Sequence, residues 1–210
     1  MSEIPEKNTI LVKQGYNTIK QIIDRVAAIV FLLVLSPALF MIGLLLFLIE
    51  GKVFFIQERP GYQGRPFKMY KFITMSEDDS MPDNLRVTRF GFLLRKLSID
   101  ELPQLINILK GEMSFIGPRP FLKEYLPLYS DHHMARHQVM PGITGLAQVS
   151  GKNEVTWQEK LDLDVHYVNH ISFGLDVKIV GLTVMYFLRG CPGSYPAERF
   201  KGYQLKTAEA

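Results

Sequence analysis

The sequence predicts a mostly helical α/β protein, in which one long apolar helix precedes a small domain with a short sheet. Residues 26–49 form an uncharged apolar run of 24 residues, and a membrane helix needs about 20. Residues 53–57 and 67–75 alternate between the two faces of short strands. Apolar side chains at helical spacing, flanked by basic residues, predict interfacial amphipathic helices in three later segments: 88–97, 157–171 and 175–188.

The composition is sufficient for one domain with its own core, since the chain has 210 residues and 47% of them are hydrophobic. We divide the chain into a loose N-terminal segment (1–17), a membrane helix (18–50), a main domain (51–189) and a C-terminal tail (190–210). The net charge of +3 is far below the basic excess that nucleic-acid binding requires, so no nucleic acid is expected. The single cysteine, Cys191, excludes an intrachain disulfide.

Two features indicate that the apolar helix enters and leaves the membrane on the same side, as a re-entrant hairpin. Ser36 and Pro37 lie near its middle, and a proline inside a helix removes a backbone hydrogen bond. Basic residues, which mark cytoplasmic flanks, occur on both sides of the run: Lys13, Lys20, Arg25, Lys52, Arg59, Arg65 and Lys68. A straight crossing stays open as an alternative, because spanning helices also tolerate proline. On these features a hairpin that turns at Ser36-Pro37, with both flanks on the cytoplasmic side, is favoured over a crossing.

The stretch from Ser98 to Pro120, SIDELPQLINILKGEMSFIGPRP, carries the strongest functional pattern. Asp100 and Glu101 are adjacent at the start of a predicted helix, where free backbone N–H groups favour phosphate. Two carboxylates at such a place can bind Mg²⁺ together with substrate phosphates, and an ionised aspartate can attack phosphorus directly. Arg119, held between two prolines, offers a planar fork for phosphate oxygens. Together these features favour phosphoryl chemistry.

A purely structural interpretation of the same residues is also available. Ser98 and Glu101 have the S-x-x-E spacing of a capping box, and Asp100 would interact favourably with the helix dipole. Gly111 is placed to end the helix.

The stretch resembles the signature of bacterial sugar transferases, the small monotopic phosphoglycosyl transferases. The resemblance continues through FIQERPGYQGRPFKMYKFITM and VMPGITGLAQVSGKN and covers roughly residues 18–189. It implies a membrane-dipping helix broken at a Ser-Pro pair and an active site at the cytoplasmic face of the bacterial inner membrane. Departures from the family pattern are Met140 and Ile73, where a basic residue is frequent.

The reaction implied by the resemblance is transfer of sugar-1-phosphate from a UDP-sugar to a polyprenol phosphate such as undecaprenyl phosphate, with release of UMP. Asp100 matches the family's nucleophile, which carries the phosphosugar covalently, and Glu101 matches its magnesium-associated partner. Arg95, Arg119 and Lys71 are our candidates for phosphate contacts. The donor, the lipid acceptor and membrane lipids are the expected partners, while homo-oligomerisation is left open. The alternatives are a metal-dependent nucleotide-diphosphate hydrolase and a non-enzymatic membrane scaffold.

Two histidine pairs have a spacing at which one helix face could bind zinc. His133 and His137 are four residues apart, as are His166 and His170. Neither pair has a third ligand at a recognisable spacing, so the sequence does not predict zinc.

Overall fold

The computed structural model describes residues 4–76, 86–150, 156–189, 200 and 202, with side chains from residue 15 onward. Its helices are α1 (Ile4–Glu50), α2 (Arg89–Lys96), α3 (Leu105–Lys110), α4 (Asp131–Met134), α5 (Leu146–Val149), α6 (Trp157–His170) and α7 (Phe173–Leu188). Its strands are β1 (Phe54–Pro60), β2 (Pro66–Phe72), β3 (Ser114–Ile116) and β4 (Gly142–Thr144). Short 3₁₀ turns span Tyr62–Gly64, Ile99–Gln104, Lys123–Leu128 and Ala135–Gln138. The mostly helical α/β fold with a short sheet is thus confirmed.

Helix α1 runs without interruption through Ser36 and Pro37, where we predicted a break into two arms. Pro37 has no N–H to donate to the carbonyl of Leu33, four residues earlier. The Ser36 hydroxyl donates to that carbonyl instead, at 2.8 Å. The serine therefore satisfies the acceptor that the proline leaves open, and the re-entrant hairpin is not confirmed. Helical geometry also begins at Ile4, within the segment 1–17 that we predicted to be loose.

One face of α1 packs against the domain along most of the helix. Ala28 is fully buried among side chains of β2 and α3, and Leu46 is buried beside Leu94 of α2. The contacting residues between them recur at helical spacing: Leu32, Leu35, Leu39 and Ile42. The other face leaves large apolar side chains exposed, such as Leu33, Phe40 and Leu48. Within the described part of the chain, only Gly15–Glu50 is long and apolar enough to cross a membrane.

Buried polar contacts fix the N-terminal half of α1 to the domain. Lys20 Nζ lies 3.1 Å from Asp176 Oδ2 of α7, and the hydroxyl of Ser114 in β3 donates to Asp24 Oδ2 at 2.6 Å. Tyr167 of α6 donates to the other Asp176 oxygen at 2.8 Å. Because these groups are buried, their mutual pairing fixes one orientation of α1 on the domain.

The predicted strands form an antiparallel hairpin, β1 with β2, in which Phe54 pairs with Phe72 and Gln57 with Met69. In β2, Phe67 and Met69 are buried and Lys71 follows them on the same face. The hairpin is anchored by Asn107 of α3, whose amide oxygen accepts from the backbone N–H of Tyr70 at 3.1 Å. Its amide nitrogen donates to the carbonyl of Lys68 at 2.7 Å. Lys71 is thereby held beside α3.

A second, parallel pair of strands, β3 with β4, was not predicted. It aligns Ser114 with Gly142 and Ile116 with Thr144. Glycines allow the two backbones to approach closely here, since a Cβ on Gly117 would lie 2.3 Å from the carbonyl oxygen of Met140. The pair fixes the start of the Pro118–Pro120 loop.

The segment 122–138 consists of three short pieces: the turn Lys123–Leu128, α4 and the turn Ala135–Gln138. The acidic segment 77–79 lies outside the described residues. So does the predicted tail 190–210, apart from Phe200 and Gly202.

Candidate active site

Asp100 and Glu101 lie in a 3₁₀ turn, Ile99–Gln104, which a left-handed Ser98 introduces. The backbone of Ser98 has φ 54° and ψ 22°, and its hydroxyl makes no capping hydrogen bond. The capping-box interpretation of Ser98 and Glu101 is therefore wrong. Gly111 does end α3, as predicted, with φ 76°.

The Glu101 carboxylate is held between two cations from distant parts of the chain. Lys71 Nζ of β2 donates to Oε1 at 2.8 Å. Arg119 donates through Nη2 to the same oxygen at 2.5 Å and through Nη1 to Oε2 at 3.3 Å. The three side chains that sequence analysis selected are thus brought together by β2, the 3₁₀ turn and the loop after β3.

These ion pairs shift the pKa of each partner. Burial alone would raise the pKa of the Glu101 carboxyl, but the charges and hydrogen bonds of Arg119 and Lys71 outweigh burial and hold it well below its usual range. Glu101 in turn raises the pKa of Arg119. The pKa of Lys71 is lowered, chiefly by burial, although Glu101 opposes that shift. Glu101 is accordingly an ionised counterion for both cations.

Asp100 has a different environment, although it is the next residue. Its side chain is buried, and no hydrogen bond reaches its carboxylate from any residue that the structure describes. Burial and then the charge of Glu101 raise its pKa, while Lys71, Arg119 and Arg95 oppose that shift. A buried carboxylate that accepts no hydrogen bond from the described residues, and on which three cationic charges act, retains its lone pairs for an electrophile or a metal ion.

Arg95 lies in the last turn of α2, on the Asp100 side of the cluster. Its Nε donates to the Thr74 hydroxyl at 2.8 Å. Gly91, one turn earlier, lets α2 approach the backbone of Thr74, because a Cβ there would lie 2.2 Å from the Thr74 carbonyl oxygen. The charge of Arg95 acts on Asp100, so all five predicted site residues belong to one electrostatic cluster.

The family model of the bacterial sugar transferases matches residues 15–190 of this sequence. The chain belongs to the bacterial sugar transferase family. The resemblance stated from the sequence motifs is thereby confirmed.

Several relatives extend this assignment. An uncharacterised sugar transferase of Bacillus subtilis, EpsL, is 51% identical over 79% of this chain and 85% of its own length. The exopolysaccharide production protein ExoY of Sinorhizobium fredii is 38% identical over 79% of the chain and 83% of its own length. A UDP-glucose:undecaprenyl-phosphate glucose-1-phosphate transferase of Escherichia coli is 39% identical over 87% of the chain. The match covers 45% of that larger protein.

Sequence analysis missed the residues that position Arg119. Arg136, fully buried, donates through Nη2 to the backbone carbonyl of Arg119 at 2.6 Å. The same nitrogen and Nε contact Asp164 Oδ2 of α6 at 2.7 and 3.1 Å. The guanidinium also packs over the Phe121 ring, 4.5 Å from its centroid. Nothing in the local pattern around Arg136 distinguishes it from a surface arginine, because its partner lies 28 residues away.

Arg59 at the end of β1 is a second residue that sequence analysis did not assign to the site. Its Nη2 donates to Gln57 and its Nη1 lies 3.4 Å from the carbonyl of Pro120. Burial and the nearby charge of Arg119 lower its pKa to about 10. No carboxylate among the described residues lies within ion-pairing distance of it. With Arg59, the cations of the site outnumber its two carboxylates, Asp100 and Glu101.

The donor set fits a hard divalent cation such as Mg²⁺. Asp100 provides a carboxylate whose oxygens make no hydrogen bond to the described residues, and carboxylate oxygen is a ligand that Mg²⁺ prefers. Glu101 fits less well on its own, because Oε1 already accepts from two cations, but the only contact of Oε2 with the described residues is the one at 3.3 Å. Asp100 is the residue that fits a metal ion best, and Oε2 of the next residue, Glu101, is the second candidate ligand.

Proposed function

We propose that this chain transfers sugar-1-phosphate from a UDP-sugar to a polyprenol phosphate such as undecaprenyl phosphate, with Asp100 as the nucleophile. Relatives named as undecaprenyl-phosphate sugar phosphotransferases support the general reaction, including a glucose enzyme of Escherichia coli and an N-acetylgalactosamine enzyme of Aeromonas hydrophila. The observation that carries the proposal is the contrast between the two neighbouring carboxylates. Glu101 is bound to two cations, whereas Asp100 is buried and accepts no hydrogen bond within the described ranges.

In the first step, an oxygen of the Asp100 carboxylate attacks the phosphorus that carries the sugar. The bond between that phosphorus and the bridging oxygen breaks, and UMP leaves with the electron pair. An acyl-phosphate bond now joins Asp100 to the phosphosugar. In the second step, an oxygen of the polyprenol phosphate attacks the same phosphorus and the Asp100 carboxylate is released. The product is a polyprenol diphosphate sugar, and no net proton is consumed.

The cations around Asp100 give a physical reason for two steps. Donor and acceptor are both anionic, so direct approach of one to the other costs electrostatic energy. Arg119, Arg95, Lys71 and Arg59 supply positive charge for one anion at a time. Mg²⁺ bound at Asp100 and Glu101 would neutralise diphosphate charge and so favour departure of UMP.

We place the site at the membrane surface, on the cytoplasmic side of the inner membrane, with both ends of α1 on that side. The length of the contact between α1 and the domain supports this arrangement. From Lys20 to Leu46 the helix contacts buried domain residues, a distance of about 39 Å at 1.5 Å per residue. A crossing of about 30 Å of hydrocarbon would take much of that polar domain into the bilayer or break these contacts. A monotopic arrangement keeps the contacts and turns the exposed apolar face to lipid.

The stoichiometry of UMP release tests this reaction. With the donor and Mg²⁺ but no polyprenol phosphate, the wild type is expected to release at most one UMP per enzyme and to turn over once the lipid is added. The variants Asp100→Asn and Glu101→Gln are expected to lose both the single UMP release without lipid and the turnover with lipid. The loss of UMP release is expected to be most complete for Asp100→Asn. Continuous UMP release without lipid would instead indicate a hydrolase. Undiminished transfer by Asp100→Asn would contradict the proposal.

A further inference from the structure

A cluster of metal-ligating side chains lies on α4 and α6, outside the residues assigned to transfer. His132 and His133 are adjacent on α4, and Asp162 lies on the first half of α6. One ligand atom from each of the three lies within 4.8 Å of the other two. Asp162 Oδ1 is 2.7 Å from His133 Nε2 and 4.0 Å from His132 Nε2. We propose that His132, His133 and Asp162 bind a divalent transition-metal ion of the Zn²⁺ class.

The spacing of these atoms fits a small coordination sphere. Zinc binds imidazole nitrogen and carboxylate oxygen at about 2.0–2.2 Å, so two ligands of a tetrahedral site lie about 3.3–3.5 Å apart. The distances of 2.7 and 4.0 Å lie on either side of that spacing. The His132 and Asp162 side chains are exposed and can rotate, so neither distance is fixed by packing.

His133 is oriented from its far side, as metal-binding imidazoles usually are. Its Nδ1 lies 2.8 Å from the hydroxyl oxygen of Ser130, which also accepts from the His133 backbone N–H at 3.3 Å. The 2.7 Å contact between Nε2 and the Asp162 carboxylate holds a proton that Nε2 donates. A metal ion would replace that proton, which moves to Nδ1 and is then donated to the Ser130 oxygen. The His133 side chain is only 5% exposed, so its ring is held by packing as well.

The donor set selects the class of ion. Two imidazole nitrogens and one carboxylate suit Zn²⁺ and its neighbours, whereas Mg²⁺ prefers oxygen ligands alone. The side chains of His132 and Asp162 are 64% and 50% exposed, so water can complete the coordination. A bound metal ion would link α4 to α6. The Arg136–Asp164 ion pair links the turn after α4 to the same helix.

The histidine pairs noted in the sequence do not form such a site. His137 directs Nδ1 at the carbonyl of Gly61, at 3.2 Å, away from His133. The rings of His166 and His170 stack with 4.1 Å between their centroids. Among the described residues, no carboxylate forms a metal-ligating group with these two histidines. The His166 pair on α6 is therefore a matched control for non-specific imidazole binding.

The test starts from the purified, untagged full chain after a chelator has removed metal. Zn²⁺ binding is measured by titration calorimetry, and the absorption spectrum of bound Co²⁺ reports the ligand geometry. Excess Mg²⁺ is present throughout to occupy the oxygen-ligand site. We expect one equivalent of Zn²⁺ to bind, with a rise in the unfolding temperature. Because His132 and Asp162 are exposed, His132→Asn and Asp162→Asn should fold normally and should weaken binding by about tenfold or more.

The variant His166→Asn is expected to bind Zn²⁺ as the wild type does. The absence of saturable binding would overturn the proposal. Binding that survives both His132→Asn and Asp162→Asn, or that falls equally in His166→Asn, would overturn it as well. None of these readouts depends on transferase activity.

Discussion

Asp100 and Glu101 are neighbours in sequence, yet their surroundings shift their pKa values in opposite directions. Burial and the charge of Glu101 raise the pKa of Asp100, whereas Arg119 and Lys71 overcome burial and depress the pKa of Glu101. A carboxyl whose pKa is raised in the folded state destabilises the fold increasingly as pH rises above the unfolded pKa, and fully once pH exceeds the raised value. One whose pKa is depressed stabilises the fold above its unfolded pKa, until pH falls through the folded value.

The substitutions Asp100→Asn and Glu101→Gln are therefore expected to change the free energy of unfolding in opposite directions at pH 7. Asp100→Asn removes a buried charge that accepts no hydrogen bond within the described ranges, and we expect unfolding to cost about 0.5–2 kcal/mol more. Glu101→Gln leaves two cations without their counterion, and we expect a loss of about 3 kcal/mol. Thermal or denaturant unfolding of both variants at pH 7 measures this difference. Glu58→Gln, at an exposed carboxylate, is the control and should change little.

The same pair has a pH signature. As pH falls through the raised pKa of Asp100, the wild-type carboxyl becomes neutral, so the stability gain of Asp100→Asn should shrink toward acid pH. The loss caused by Glu101→Gln should persist over that range, because the pKa of Glu101 lies well below its usual range. A gain for Asp100→Asn that does not vary with pH would contradict our description of this carboxyl.

At the residue scale, the members of the charged cluster could be predicted from the sequence, but the contacts of Glu101 could not. The motif residues Lys71, Asp100, Glu101 and Arg119 do converge. The S-x-x-E spacing, however, predicted a cap in which Glu101 faces its own backbone. Two cations from other elements bind that carboxylate instead, and a local pattern does not contain them. Tertiary charge pairing outweighed a local hydrogen bond of about 1 kcal/mol.

At the scale of elements, the Arg119 loop is held by contacts far apart in sequence. Arg136 joins the Arg119 carbonyl to Asp164 of α6, and β3 pairs with β4 through close glycine backbones. These strands have three residues each, too few for an alternating pattern. The sequence therefore predicted Arg119 itself, but gave no signal for Arg136 or for the parallel pair that position it.

We expect Arg136→Lys to impair the donor site more than the fold. Lysine keeps the charge but loses the fork that reaches both Asp164 and the Arg119 carbonyl. If Arg136 positions Arg119, the KM for the UDP-sugar should rise by about tenfold to a hundredfold, and UMP should bind correspondingly more weakly. Both are measured per folded enzyme, with Lys178→Arg on the exposed face of α7 as the control. A fall in kcat at unchanged KM and UMP affinity would assign Arg136 a structural role only.

At the scale of the whole molecule, α1 combines an apolar surface with firm attachment to the domain. Composition predicted the membrane helix, since the uncharged run is plain in the sequence. Its course was harder to predict, because a Ser-Pro pair can either break a helix or be accommodated within it. Ser36 satisfies the Leu33 carbonyl that Pro37 leaves open, and the helix continues.

Single-cysteine labelling tests the course of α1. After Cys191 is replaced by serine, a cysteine is introduced either at Gly15 or at Lys52, which are both exposed and flank the apolar run. With both ends on the cytoplasmic side, a membrane-impermeant maleimide should label both positions in inside-out vesicles and neither in right-side-out vesicles. Labelling of the two positions from opposite sides would establish a spanning helix and contradict the monotopic arrangement.

The proposed reaction requires that the Asp100 carboxylate becomes covalently bonded to phosphorus. This bond can be detected by mass spectrometry of the enzyme quenched after incubation with UDP-sugar and Mg²⁺ in the absence of polyprenol phosphate. We predict a mass increase equal to one phosphosugar, located on the peptide that contains Asp100 and discharged when the lipid is added before quenching. An unmodified Asp100 peptide from enzyme that has released one equivalent of UMP would contradict the account.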